Sequence, residues 1–324
     1  MSIPRRTPTD RAAGLALLAA LLLAGCSEGR SAPGGEPADA GASTAASTAD
    51  VAVTIVDDAG REVRLARPAR RIVSLLPSGT ETLLALGAGE RLVGRTRYDR
   101  DPRVAHLPSI GGGLDPSIEA LLALRPDLVL VFEGATPSAL RERLESLGIA
   151  VAALAPQDTA DVFRNLERLG RLSGREPAAD SLGRRLRAEL DAVRASVAGR
   201  AQPSVLYVVG TEPLRTAGPE TFIGQLLGLA GARSIAPTQR GDWPQLSLEE
   251  VVRQQPDVIL LPQGEDVGTA PARLLGRPGW RELRAVREGR VVVLAADLLH
   301  RPGPGIAAAA RALRDALHPA AARP

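Results

Sequence analysis

Apolar and polar positions alternate on either side of Asp57-Asp58-Ala59-Gly60 between Val51 and Leu65, a period of two that predicts a small β-hairpin. Beyond it, short apolar runs take turns with helical spacing. Arg71 to Leu76 reads as a short buried strand. Ser78, with Glu81 three residues on, has the form of a capping box that would open a helix ending at Gly87. Further strands are expected at Leu92-Val93, Leu128 to Phe132 and Val151 to Leu154, with helices near Ser117 to Leu124 and Pro137 to Leu147. Strands alternating with helices imply a mostly parallel sheet covered on both faces.

Around Thr159 the alternation gives way to leucines at helical spacing, over Ala160 to Leu172 and then Pro177 to Val197. The α/β pattern resumes with strands at Val205 to Val209, Val258 to Leu261 and Val291 to Leu294, and a closing helix from Ile306 to Leu317. The fold class is therefore α/β, with two Rossmann-like lobes joined by a long helical connector and a ligand cleft between the carboxyl ends of the two sheets. The expected divisions are an amino-terminal lobe over 51–156, connecting helices over 157–200 and a carboxyl-terminal lobe over 201–318.

An internal repeat supports two equivalent lobes. Ser117-Ile118-Glu119, Pro126-Asp127 and Leu128-Val129-Leu130-Val131 recur 130 positions later as Ser247-Leu248-Glu249, Pro256-Asp257 and Val258-Ile259-Leu260-Leu261. The same helix and strand should stand in equivalent places in both lobes.

The first residues change the picture of where the protein works. Arg5, Arg6 and Arg11 precede an apolar run from Ala12 to Ala24 that is too short to span a bilayer and reads as an export signal over 1–25. The run ends in Leu23-Ala24-Gly25-Cys26, which resembles the lipobox of bacterial lipoproteins, where the cysteine is acylated. A protein anchored to the membrane by lipid at Cys26, facing the periplasm or the cell exterior, is expected. The Ala, Gly, Ser, Thr and Pro content up to Asp50 makes 26–50 a flexible tether, with a root-mean-square reach of roughly 27 Å. Cys26 is the only cysteine, which excludes a disulfide and a thiolate metal site in the folded part.

Composition removes other functions. A formal charge of +3 with arginines scattered among acidic residues argues against nucleic acid as a partner. All 40 basic residues are arginine, so Schiff-base and P-loop lysine chemistry are excluded. Gly111-Gly112-Gly113 lacks the spacing of a dinucleotide-binding loop, and neither an HExxH nor a GxSxG motif occurs. His106, His300 and His318 are far apart in sequence, so no metal site built from protein side chains alone is expected, and no enzyme.

Three groups remain as candidates. Glu119 and Glu249 fall in the first turns of the repeated helices, where they either complement the helix dipoles, worth under about 1 kcal/mol each, or form one acidic knob per lobe for a two-fold symmetric partner. Of the seven aromatic residues, Tyr98 and Phe132 follow strands and Trp243 sits in a polar loop. These positions suit either cleft walls or core. Asp297, His300 and Arg301 come directly after the last strand, on an expected loop at the cleft, as hydrogen-bonding groups for a ligand or as a solvated loop.

Arg70 to Leu75, Ile118 to Val129 and Asp242-Trp243-Pro244-Gln245-Leu246-Ser247 resemble the helical-backbone, or class III, solute-binding proteins of ABC importers, over nearly all of the chain from Val51 to Leu317. The class serves uptake of cobalamin (vitamin B12), haem and ferric siderophores. The Trp243-Pro244-Gln245 segment and Tyr98-Asp99 with Asp101-Pro102 are most similar to the cobalamin-binding branch. The resemblance implies Tyr98, Phe132 and Trp243 as aromatic contacts of a corrinoid, Asp297 and Arg301 as polar contacts, His300 where the branch has an acidic residue, and Glu119 and Glu249 as docking points on the permease. It implies a monomer that works with an ABC permease and its ATPase and holds no cofactor other than its ligand. The sequence departs from the branch at Gly112 or Gly113, which stands where a tryptophan wall is expected, and near Val209 and Arg215, where aromatics are missing. Haem or a ferric siderophore is the alternative ligand, with Tyr98 and His300 as candidate axial ligands for haem. A scaffolding lipoprotein without a small ligand is a further alternative.

Overall fold

The computed structural model describes residues 52–236, 241–263 and 275–319. The export signal, the tether, Cys26 and Val51 lie outside the described residues.

The opening hairpin pairs β1 (Val53–Val56) with β2 (Glu62–Leu65) in the register Val53 to Leu65 through Val56 to Glu62. Its turn is held by the buried Asp57 carboxylate, which accepts from the Ala59 and Arg61 backbone N–H groups at 3.0 and 2.9 Å. The amino-terminal lobe then builds a four-stranded parallel sheet from β3 (Ile72–Ser74), β4 (Leu92–Gly94), β5 (Leu128–Phe132) and β6 (Ala150–Leu154), ordered β4-β3-β5-β6. Its helices are α1 (Pro77–Ala85), α2 (Ile118–Ala123) and α3 (Ser138–Ser146).

The connector is two helices, α4 (Thr159–Leu172) and α5 (Glu176–Ser196). Asp158 and Asp161 form a reciprocal capping box at the start of α4, and Gly174, with φ of +59°, ends it and lets the chain turn back into α5. At about 1.5 Å per residue α5 is roughly 31 Å long, enough to run the height of a lobe. The helix α4 packs against β1 and α1 of the first lobe.

The second lobe repeats the plan. Strands β7 (Ser204–Tyr207), β10 (Arg233–Ser234), β11 (Val258–Gln263) and β12 (Val291–Ala295) form a parallel sheet ordered β10-β7-β11-β12. A two-stranded hairpin of β8 (Gly210–Thr211) and β9 (Leu214–Arg215) follows β7. Its helices are α6 (Phe222–Leu229), α7 (Leu248–Gln254), α8 (Arg284–Arg287), α9 (Ala296–His300) and α10 (Ile306–Leu317). The connector's α5 packs on α6 and α10.

Strand alternation divides the core into three parts. One face of the first sheet, with Ile72, Leu128 and Leu130, joins the connector leucines and Val205, Tyr207, Val258 and Leu260 of the second sheet in one continuous apolar cluster. The opposite faces, Val73 with Val129 and Leu206 with Ile259, bury separate clusters under α2 and α7. A single core running through both lobes resists wide separation of the two sheets.

The repeat of 130 residues is a true structural duplication. The helices α2 and α7 are capped alike, by the Ser117 hydroxyl accepting from Ala120 N–H and the Ser247 hydroxyl from Glu250 N–H. Each is followed by the two non-glycine residues with left-handed φ among the described residues, Arg125 (φ 45°) and Gln255 (φ 46°). Next come Asp127, which accepts from Arg70 and Arg71 N–H, and Asp257, which accepts from Ser204 N–H and hydroxyl. In both lobes an aspartate at the start of one strand thus pins the start of its neighbour.

Two local expectations are corrected. Ser78 and Glu81 do not form a capping box: α1 starts a residue earlier with Pro77 in its first turn, Ser78 is inside the helix, and Glu81 turns to the other lobe. Asp297 to His300 lie on α9, not on a loop, with only Arg301 beyond its end.

Candidate functional site

The carboxyl ends of the two sheets face a cleft of about 1170 Å³. A volume above the usual range for drug-sized ligands suits a large solute. Every predicted ligand-binding residue, Tyr98, Phe132, Trp243, Asp297, His300 and Arg301, lines it.

Tyr98 follows β4 on a loop knotted by Asp99, whose buried carboxylate accepts from the Thr96 backbone N–H and hydroxyl at 2.7 and 2.8 Å. The Arg97 guanidinium lies 5.0 Å from the centre of the Tyr98 ring and donates to the Tyr98 hydroxyl, while it also pairs with Asp115 at 3.2 Å. Phe132 closes β5, its inner edge packed on the core and its outer edge in the cleft. Gly113 lies beside the ring and against the backbone of Leu75, whose carbonyl oxygen a Cβ at this position would strike. No tryptophan wall could stand at this position on this backbone.

On the facing wall Trp243 is 44% exposed, a large apolar surface open to the cleft. Its loop is nonetheless fixed. Gly218 N–H donates to Asp242 O at 2.7 Å, Thr216 N–H to Pro244 O at 3.2 Å and Leu246 N–H to Leu214 O at 3.0 Å, so the segment runs beside β9. Val209, where an aromatic is absent, is exposed in the same wall.

The polar end of the cleft comes from α9. Arg301 is 14% exposed and reaches across to the first lobe, donating to Glu81 Oε1 at 2.7 Å and to the Tyr98 carbonyl at 2.9 Å. It also pairs with Asp297 at 3.1 Å, and Asp297 meets Arg100 of the first lobe at 3.7 Å. Burial raises the pKa of Glu81, partly offset by Arg301 and reinforced by the charges of Asp297 and Asp99. His300 Nε2 is hydrogen-bonded to the hydroxyl of Tyr207, which is fully buried at the end of β7. Burial lowers the His300 pKa, opposed by Asp297, and raises that of Tyr207. Nothing local in the sequence marks Glu81, Arg100 or Tyr207 as part of the cleft, because their partners there are 93 to 220 residues away.

The floor of the cleft is tied where the connector begins. Phe222 N–H donates to Gln157 O at 2.7 Å and Thr159 N–H to Gln225 Oε1 at 3.0 Å. Glu119 and Glu249 lie away from the cleft, exposed in the first turns of α2 and α7. Among the described residues there is no cluster of three or more metal-ligating side chains, and no helix is long and apolar enough to cross a membrane.

Residues 72–298 of the chain match one family, described as periplasmic binding protein. The chain belongs to that family. Family members are solute-binding proteins of ABC importers that work outside the cytoplasm with a permease and its ATPase. The chain is 31% identical over 94% of its length to an uncharacterized ABC transporter substrate-binding lipoprotein, YvrC, of Bacillus subtilis, 95% of which is covered. It is 29% identical over 75% of its length to the vitamin B12-binding protein of Photorhabdus laumondii, covering 86% of that protein. The crystal structure of the vitamin B12-binding protein BtuF of Vibrio cholerae superposes with a TM-score of 0.65 at 27% identity, over 77% of this chain and 97% of that one. A periplasmic haem-binding protein from Pseudomonas aeruginosa superposes with a TM-score of 0.68 at 31% identity, over 78% and 94%.

Proposed function

We propose that the protein captures a corrinoid of the cobalamin class in its cleft and delivers it to an ABC permease. The observation that carries this reading is the size and chemistry of the cleft: about 1170 Å³, with Tyr98 and Phe132 on one wall, Trp243 on the other and polar groups of α9 at one end. A corrinoid is a large, flat-cored solute fringed with amides, and it suits apolar walls with a polar rim. Likeness to the vitamin B12-binding proteins of Photorhabdus and Vibrio supports it.

Glu119 and Glu249, exposed on equivalent helices, serve in this reading as the two docking points for the permease. Cys26 carries the lipid that holds the protein at the membrane, an assignment supported by the lipoprotein YvrC. The protein acts as a monomer and has no catalytic residue. Haem is the second reading, favoured by the Tyr98 hydroxyl in the cleft and by the haem-binding protein of Pseudomonas. Titration calorimetry of the purified protein with cyanocobalamin, haemin and a ferric siderophore tests the choice. Binding of cyanocobalamin is expected, and heat from haemin or siderophore alone would replace the corrinoid with that ligand.

A further inference from the structure

We infer that Tyr207 locks His300 as the Nδ1–H tautomer, so that His300 serves the cleft as a hydrogen-bond donor to an oxygen of the ligand and not as a metal ligand. The Tyr207 ring is fully buried, and among the described residues its hydroxyl has one partner, Nε2 of His300, with the two rings edge to face at 88°. Two arrangements of hydrogen are available. If Nε2 carried the hydrogen, it would donate to the phenol oxygen and leave the buried hydroxyl hydrogen without an acceptor, a costly state for a buried donor. If the phenol donates to Nε2, every group is satisfied and the imidazole hydrogen must sit on Nδ1. The upward shift of the Tyr207 pKa and the downward shift of that of His300, both caused by burial, keep the phenol protonated and the imidazole neutral, as the second arrangement needs.

Nδ1–H then has no partner among the described residues. One side of the His300 ring is covered by Tyr207, while the residue keeps surface open to solvent, lines the cleft and makes no other hydrogen bond among the described residues. The nearby carboxylate of Asp297 is taken by Arg301 and Arg100. A bound solute that covers this edge of the ring must replace solvent as the acceptor, and a nitrogen that carries a hydrogen offers no lone pair to a metal. On the corrinoid reading above, on which the ligand half of this inference rests, the acceptor is a side-chain amide carbonyl. A porphyrin carboxylate would present the same chemistry.

Long-range nitrogen–proton correlation spectra of the ligand-free protein, with the His300 signals assigned by their absence in His300→Asn, read the tautomer directly. The Nδ1–H form is expected in the wild-type protein, with a shift towards Nε2–H in Tyr207→Phe. A wild-type protein with the hydrogen on Nε2 would overturn the inference. In binding, His300→Leu should weaken cyanocobalamin by about three- to tenfold, the range for one neutral hydrogen bond, and His300→Asn, whose amide nitrogen falls where Nδ1 was, should recover most of it. Unchanged affinity in His300→Leu would overturn the donor role. Should cyanocobalamin fail to bind the wild-type protein, the corrinoid reading fails while the tautomer still decides the His300 assignment. Haemin then serves as the probe, and its visible spectrum should be the same in wild type and His300→Leu. Loss of an axial ligand in the variant would contradict the inference.

Discussion

Arg301, at the end of α9 in the second lobe, donates from Nη1 to Oε1 of Glu81 on α1 of the first lobe at 2.7 Å. This contact, with the bond from Arg301 to the Tyr98 carbonyl, joins the two lobes beside the cleft that Arg301 and Tyr98 line. Both side chains are largely withdrawn from water, so removing one leaves the other buried and unpaired. Arg301→Ala should therefore lower stability by about 1–3 kcal/mol, below the value for a fully buried pair because Glu81 keeps some access to water. Urea denaturation of wild type and variant measures this, and an unchanged midpoint would show that the bridge does not hold the lobes.

The His300 environment predicts a pH dependence. Its folded pKa lies below the ordinary value near 6.5, so the folded state resists protonation more than the unfolded chain does. Stability is full above about pH 6.5 and is lost as pH falls through and below that value. The raised pKa of Glu81 works in the opposite sense, towards the acid end of the range, where its protonation becomes favourable. His300→Gln, which can keep a partner for the Tyr207 hydroxyl, should flatten the loss between about pH 7 and 5. Urea midpoints across that range check it, and an identical slope in wild type and variant would show that His300 does not set the pH dependence.

Much of this was legible in the sequence, and what was not has a common cause. The strand at Leu128 to Phe132 and the helix at Ile306 to Leu317 were visible because period and length agree with burial. The repeat was visible because Ser117 and Ser247, Asp127 and Asp257 do the same capping and pinning work in both lobes. By contrast α6 was missed: Gly224 and Gly228 lower its helical propensity, yet Gly224 is where the helix touches the Gly218 carbonyl, which leaves no room for a Cβ. The Ser78 and Glu81 spacing suggested a cap because sequence cannot show that Glu81 has a better partner 220 residues away. The residues that line the cleft were legible as types at strand ends and, for Trp243, in a polar loop, but the Tyr207 to His300 contact and the Arg301 bridge exist only once distant segments of the chain are brought together.

Trp243 offers an exposed ring on a fixed loop, so its contribution should fall on the ligand and not on the fold. Trp243→Ala is expected to weaken cyanocobalamin by about 1–3 kcal/mol, with thermal stability changed by less than about 1 kcal/mol. Calorimetry and thermal melts together check this, and a large fall in stability with unchanged affinity would place the ring in the core.

Reversing both Glu119 and Glu249 to arginine should leave ligand affinity and stability nearly unchanged, because both are exposed and outside the cleft. Uptake should fall sharply, since placing like charges at both ends of a two-point interface costs several kcal/mol. A single reversal should have an intermediate effect. Full uptake by the double variant would reduce these residues to partners of their helix dipoles.

The identity of the ligand rests on the ratio of affinities for cyanocobalamin and haemin. Measured by calorimetry on the purified protein under one buffer and temperature, cyanocobalamin should bind at least tenfold more tightly than haemin, a difference of about 1.4 kcal/mol. Equal or tighter binding of haemin would contradict the corrinoid reading.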